Sequence, residues 1–321
     1  MKTVKKFTRV NAKTVEEAVS ALRAANAWAL SGGTDLVGTM RFEVLPDSMY
    51  PKILVNLKTI APSLDYIKEE KGMLKIGALT RLEDIAKSSV VKSKWTALAE
   101  AAHKTASPHI REMGTIGGNI CQLNRCWYFR LHDNRFFCMR KGGKTCFAMA
   151  GENRYHSIFG GVSACMAVNP SDTAPALVAL NARIVTSKRT INAEEFWSVK
   201  ALRSTALEND EIIREVQVPA PDSGIKSAFV KFALRSSIDF PIVNCAAAIG
   251  GGAARICLNA VFNKPYRATK AEESIAGKAI DVASAQAAGI AAVTGANAMT
   301  LNKWKIQVAA GMVKKAILAC A

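Results

Sequence analysis

Two short segments set adjacent glycines inside a polar turn, Ser31-Gly32-Gly33-Thr34-Asp35 and Thr115-Ile116-Gly117-Gly118-Asn119. Lacking a β-carbon, glycine lets the backbone approach a bound group closely and present its N–H donors, and a helix starting there adds partial positive charge. This is chemistry suited to holding a diphosphate. The adjacent glycines are not the GxGxxG of a Rossmann dinucleotide site, and no GxxxxGK[ST] phosphate loop occurs. Either turn alone reads more readily as an ordinary tight turn.

A second group of residues can bind metal. Cys126, Cys138, Cys146 and Cys165 are separated by 11, 7 and 18 intervening residues. Thiolates are soft ligands, and four of them hold either tetrahedral zinc or an iron-sulfur cubane. The close CxxC pairs usual in structural zinc sites are absent, and wide spacing suits a loop wrapped around a larger inorganic core. Arg125, Arg130, Arg135, Arg140, Lys141 and Lys144 would offset the charge of a thiolate-ligated cluster. Residue types alone leave zinc and iron-sulfur open. Cys121 reads as a buried neighbour, and Cys245, Cys257 and Cys320 as core residues within apolar patterns. The histidines His103, His109, His132 and His156 show no metal-ligand spacing such as HExxH; His156 reads as a loop residue, with a hydrogen bond near a cluster as the alternative. No paired histidine and carboxylate accompanies the glycine turns, which argues against a self-sufficient active site.

These residues need elements to position them. Thr14 and Glu17 form a capping-box pattern ahead of a helix through Val19 and Leu22, and Ala27 to Leu30 leads into the first glycine turn. Strands are expected at Ile53 to Leu57 and Met73 to Ile76, and Thr80 with Glu83 reads as a second capping box. A helix at about Trp95 to His103 precedes the second glycine turn. Between Cys126 and Gly161 the periodicity stops, which in a compact domain requires something to organise the loop. Asn169-Pro170-Ser171-Asp172 is a turn and N-cap signal, Arg183 to Val185 and Ile212 to Val218 read as strands, and Pro219 to Gly224 as a module boundary. Three antiparallel strands, Ser227 to Leu234, Val243 to Gly250 and Ala254 to Phe262, are then followed by helices near Ala283 to Val293 and Trp304 to Leu318.

The chain's 321 residues allow two or three modules with their own cores, and the 50% hydrophobic content excludes general disorder. No apolar run approaches the roughly 20 residues of a membrane span. The basic start, Met1 to Arg9, lacks a signal peptide's apolar stretch, so a cytoplasmic protein with reduced thiols is expected. The formal charge of +17 is spread along the chain without a nucleic-acid-binding signature. Acidic protein partners or anionic ligands use such a field better.

The segment Ala29-Leu30-Ser31-Gly32-Gly33-Thr34-Asp35-Leu36, then Ile110-Arg111 to Gly114-Thr115-Ile116-Gly117-Gly118-Asn119, then Asn169-Pro170-Ser171-Asp172, then Phe229-Val230-Lys231 with Arg235-Ser236-Ser237-Ile238-Asp239 resembles the FAD-binding subunits of the xanthine dehydrogenase, carbon monoxide dehydrogenase and aldehyde oxidoreductase family. The resemblance runs over nearly the whole chain and extends to Pro265-Tyr266-Arg267 and Glu272 to Gly277. It implies an α+β fold: a two-lobed FAD-binding domain of the vanillyl-alcohol-oxidase (PCMH) type over 1–220, with lobes of about 1–58 and 59–220 and a cysteine-loop insertion at about 121–165. A C-terminal domain with a three-stranded antiparallel sheet and a helical bundle is implied over 221–321. It further implies that residues 29–36 and 115–119 wrap the FAD diphosphate. Asp172 matches an acidic residue near the ribityl or diphosphate portion, and Ile213 and Lys231 match positions lining the flavin ring. The cysteine pattern is similar to the flavin subunits of 4-hydroxybenzoyl-CoA reductase and bacterial aldehyde oxidoreductases. That similarity implies a [4Fe-4S] cluster held by Cys126, Cys138, Cys146 and Cys165. The implied partners are a molybdopterin-binding large subunit, a [2Fe-2S] small subunit and an external ferredoxin or NAD. The rival readings are a flavin subunit using NAD with a merely structural metal loop, and a cofactor-free scaffold stabilised by zinc.

Overall fold

The computed structural model describes residues 3–200, 202–236 and 238–321, so Ser237 of the fourth motif lies outside the described residues. The first lobe is a three-stranded parallel sheet. Strand β1 (Thr8–Asn11) and strand β2 (Ala27–Leu30) flank β3 (Ile53–Asn56), with helix α1 (Val15–Leu22) crossing between the first two and α2 (Leu36–Arg41) following the first glycine turn. Thr14 caps α1 by accepting from Glu17 N, but Glu17 reaches back to Lys13 N (2.7 Å) and not to Thr14 N, so half of the expected box forms.

The second lobe carries a five-stranded antiparallel sheet. Its strands β4 (Ile67–Glu70), β5 (Met73–Gly77), β6 (Arg183–Thr186), β7 (Thr190–Asn192) and β8 (Ile213–Pro219) run in the order β4-β5-β8-β6-β7. Helices α3 (Leu82–Lys87), α4 (Ser89–Lys94), α5 (Thr96–His103), α6 (Pro108–Arg111), α7 (Ile116–Cys121), α8 (Trp127–Arg130), α9 (Thr173–Ala179) and α10 (Ala193–Phe196) belong to this part of the chain. The expected capping box at Thr80 does not form. Its hydroxyl bonds Tyr66 O (2.9 Å) and accepts Tyr66 N (3.1 Å), because the chain there is still pairing with the segment before β4, and Arg81 takes the N-cap position. Trp95, Leu98, Leu177, Phe196, Trp197 and Val216 form the centre of the buried core between this sheet and its helices.

The last part has four antiparallel strands where three are expected from the sequence. Strands β9 (Lys226–Phe232), β10 (Val243–Gly250) and β11 (Ala253–Asn259) are joined at the edge by the two-residue β12 (Tyr266–Arg267), too short to show periodicity. Helices α11 (Thr269–Ile275), α12 (Val282–Ala292) and α13 (Trp304–Leu318) cover one face. The other face packs on the second lobe, where Phe229, Ala246 and Cys257 join the core of α5 and α9. Hence β10 is buried along nearly its whole length, and its run Asn244-Cys245-Ala246-Ala247-Ala248 is small enough to sit between two helical layers. Cys245, Cys257 and Cys320 are buried here as core residues. Among the described residues no helix is long and apolar enough to cross a membrane.

Candidate cofactor site and cysteine centre

The two glycine turns face each other. In the first, Gly33 adopts φ +72°, and a β-carbon on Gly32 would stand 2.0 Å from Met113 O, so only glycine permits the approach of the loop before the second turn. In the second, Thr115 caps α7 by accepting from Gly118 N (3.1 Å) and donates its hydroxyl to Ser31 Oγ (3.1 Å), joining the turns directly. Asn119 then accepts from Ser171 Oγ (2.5 Å) and Thr173 Oγ1 (2.7 Å), fixing α7 to the start of α9.

Two cavities open on either side of this contact and share Thr34, Asp35, Thr115, Gly118 and Gln122. One, of about 170 Å³, is walled by residues 29–36, Trp28, Arg203 and Glu211. The other, of about 220 Å³, runs past Gly114, Asn119, Arg125, Pro170 and Asp172 to Ile238 and Phe240 of the C-terminal part. An elongated channel with glycine turns at its waist suits a dinucleotide whose diphosphate lies at the waist.

The structure distributes the expected site residues unevenly. Ala29, Leu30, Ser31, Gly32, Gly33, Thr34, Asp35, Leu36, Thr115, Gly118, Asn119 and Asp172 line the channel. Ile116 and Gly117 lie behind it: Ile116 is in the core, and Gly117 N bonds Ala78 O (3.0 Å), docking α7 onto the end of β5. Ile213 is buried in the same core on β8. Lys231 also stands behind the wall, its Nζ donating to Asp172 Oδ2 (2.7 Å) and Lys104 O (2.9 Å). Asp172 occupies the N-cap position of α9 without capping it. Its carboxylate also accepts from Asn244 Nδ2 (2.8 Å), and Ser171 Oγ accepts from Ala174 N instead. Burial pushes the Asp172 carboxyl upward, opposed chiefly by Lys231. Sequence reasoning missed Trp28, Arg203 and Phe240. They come from three distant segments, and Arg203 lies over the Trp28 ring at 5.8 Å.

Asp35 does not cap α2 either. It accepts from Leu123 N (2.9 Å) and pairs through Oδ1 with Arg125 (2.9 Å) and Arg130 (2.8 Å), so the cysteine loop grips the first glycine turn. That loop is organised by α8, by short 3-10 turns and by buried cations. Lys141 Nζ donates to Val44 O (3.1 Å) and Phe129 O (3.3 Å), and Arg140 donates to Ser204 Oγ (2.6 Å) and Leu202 O (3.1 Å). Cys126, Cys138, Cys146 and Cys165 all line one further cavity, with Tyr128, Phe129 and Arg140. Among the described residues no three His, Cys, Asp or Glu side chains stand close enough to hold a single metal ion. Burial raises the Cys126 thiol to about 12 and also raises Cys165. His156 Nε2 lies 3.2 Å from Cys126 Sγ, and burial, then Lys305, lowers its imidazole to about 4. Cys121 lines the glycine-turn channel and not the cysteine cavity.

Comparison with known proteins gives a consistent result. Residues 5–221 match the family described as the FAD binding domain in molybdopterin dehydrogenase. The aldehyde oxidoreductase FAD-binding subunit of Escherichia coli K12 is 33% identical over 280 residues, covering 84% of this chain and 85% of that one. The nicotinate dehydrogenase FAD-subunit of Eubacterium barkeri is 28% identical over 294 residues, covering 88% and 84%. A solved carbon monoxide dehydrogenase from Hydrogenophaga pseudoflava superimposes with a TM-score of 0.76 at 28% identity, over 99% of this chain and 98% of that one. With the glycine turns, the channel and the family match in agreement, the chain belongs to the FAD-binding medium subunits of the molybdenum hydroxylase family.

Proposed function

We propose that this subunit passes electrons through FAD between a partner's [2Fe-2S] clusters and an external acceptor, either NAD or ferredoxin, and that its cysteine loop holds a [4Fe-4S] cluster. Substrate chemistry then takes place at a molybdenum cofactor on another chain. The observation that carries the cluster reading is the convergence of Cys126, Cys138, Cys146 and Cys165 on one cavity, beside a loop that also grips the first glycine turn. The chemistry of the donors suits the group, four soft thiols with the Arg140 guanidinium among them to offset thiolate charge, around a cavity of about 10 Å³ that a cluster would have to widen. The lack of single-ion spacing is compatible with a cluster, whose core holds its thiolates further apart than one zinc ion does. In such a subunit FAD supplies exchange between two-electron and one-electron chemistry. The chain's own residues position it. Residues 29–36 with Thr115, Gly118 and Asn119 bind the diphosphate, and Asp172, held by Lys231 and Asn244, orients the portion leading to the ring. Ile213 and Lys231 support the channel from behind. A single preparation tests the reading: the native complex is purified, its subunits are identified by mass, and flavin, iron and zinc are quantified per chain. Flavin with about four irons beyond those of the partner's [2Fe-2S] clusters supports it; iron fully accounted for by the partner's clusters, or zinc in place of the extra iron, removes the cluster, and absence of flavin removes the electron-transfer role.

A further inference from the structure

Arg125 of the cysteine loop reaches the arm of the channel that runs past Asp172. Arg125 lies next to Cys126 and lines the cavity that holds Asn119, Asp172 and Phe240. It also lines the adjoining apolar cavity of Trp127, Tyr155 and Leu234. Its guanidinium lies 4.5 Å from the Phe240 ring centroid and 2.9 Å from Asp35 Oδ1, bracing the C-terminal part against the first glycine turn.

The charges around it do not cancel. Asp35 receives two guanidinium groups, from Arg125 and Arg130, so one positive charge is left over. Arg130 is otherwise committed to Thr39 Oγ1 and the carbonyls of Leu123 and Asn124. Arg125 makes one further bond, to Gln122 Oε1 (3.1 Å), and its Nε is buried without a partner. The other acids on this wall are already paired, Asp172 with Lys231 and Asp239 with Arg235. A guanidinium keeps its charge at neutral pH.

We propose that Arg125 is the charge-bearing residue of the flavin cleft, favouring the reduced over the oxidised flavin. The inference rests on the FAD reading given above. Uptake of two electrons and one proton by the neutral oxidised ring leaves one negative charge on it. A fixed cation in a partly buried cleft stabilises that charge and has no comparable effect on the neutral ring. The charge comes from the insertion that also bears the cysteines, which makes the loop part of the flavin's electrostatics as well as a candidate cluster site.

The test compares the native complex with its Arg125→Lys and Arg125→Gln variants. Flavin midpoint potential is read from absorbance during dye-equilibrated reduction at raised FAD, with iron measured alongside. Arg125→Gln is expected to shift the balance about tenfold toward oxidised flavin, about 30 mV lower for a two-electron couple, while Arg125→Lys stays near the parent. Equal potentials in all three overturn the proposal. Loss of flavin from both variants also overturns it, since that marks a purely mechanical brace, as does a fall seen only together with iron loss. A parent complex that neither retains nor takes up FAD would instead remove the underlying flavin reading.

Discussion

A β-carbon on Gly118 would stand 3.1 Å from both Ser31 Oγ and Thr115 Oγ1, at the contact that joins the two turns. Gly118→Val puts two further methyl groups into that waist, and Gly33→Val puts a β-branched residue at φ +72°. Both variants are expected to lose bound flavin while the chain still folds, measured as flavin absorbance per protein; stoichiometric flavin in either would argue against a diphosphate at the waist. A second substitution separates the two centres. Cys146→Ser removes one thiol from the cysteine cavity, yet the grip on Asp35 comes from Leu123, Arg125 and Arg130. Lower iron with nearly unchanged flavin is therefore expected, and unchanged iron would show that the ligands are others.

At the scale of elements, the second glycine turn rests on a buried ion pair. Arg111 of α6 donates to Glu83 Oε2 of α3 (2.7 Å) and to Thr105 O (3.2 Å), and Lys87 approaches Glu83 Oε1 (3.1 Å). Arg111→Met leaves Glu83 buried with only Lys87, and a loss of about 3 kcal/mol is expected, the low end for a broken buried pair. The Arg111 hydrogen bond holds the Glu83 carboxyl below its usual range. The parent therefore carries this stability above the unfolded carboxyl's pKa and loses it as pH falls through the lower folded value. Denaturant midpoints of parent and variant should converge on acidification.

Helix α13 is tied to the cysteine loop in a comparable way. Lys305 Nζ, fully buried, donates to Tyr155 O (3.2 Å), His156 O (3.0 Å) and Ala260 O (2.6 Å), and Asn302 donates to His156 O (3.1 Å) and Ser157 O (2.9 Å). Burial lowers the Lys305 ammonium to about 7. Between there and the unfolded value near 10.4, the unfolded chain binds the extra proton, so this group makes stability rise with pH. The stability difference between parent and Lys305→Met should grow in the parent's favour from about pH 6 to about pH 9.5, and a flat difference would count against the shift.

For the whole molecule, the relevant quantity is the formal charge of +17. An acidic protein acceptor would be steered toward such a surface, and its association would slow as salt shortens the Debye length. If the acceptor is an acidic protein such as ferredoxin, electron delivery to it should therefore fall with ionic strength, measured by stopped-flow absorbance. Fast reduction of NAD alone would exclude ferredoxin as the acceptor.

Much of the architecture is legible in the residue order because its causes are local. The helices after Thr14 and Thr115 begin where a hydroxyl can cap a turn, β10 shows as an apolar run, and the glycine turns declare a backbone that must come close to something. The cysteine loop showed as a break in periodicity with four thiols that lack the close CxxC pairs usual in structural zinc sites, which left zinc and iron-sulfur both open. What the sequence left open are the pairings between distant segments. Tertiary packing diverted Thr80 from its expected cap to Tyr66, and Asp172 from its cap to Lys231 and Asn244, because a polar side chain near a forming interface bonds across it. Packing also withdrew Ile213 and Lys231 from the channel wall and brought Trp28, Arg203, Arg125 and Phe240 to it. The glycine turns themselves were readable from sequence, since a backbone constraint acts within a few residues. The residues that complete the channel were decided only by folding, since long-range contacts depend on how whole elements pack and leave no periodic trace along the chain.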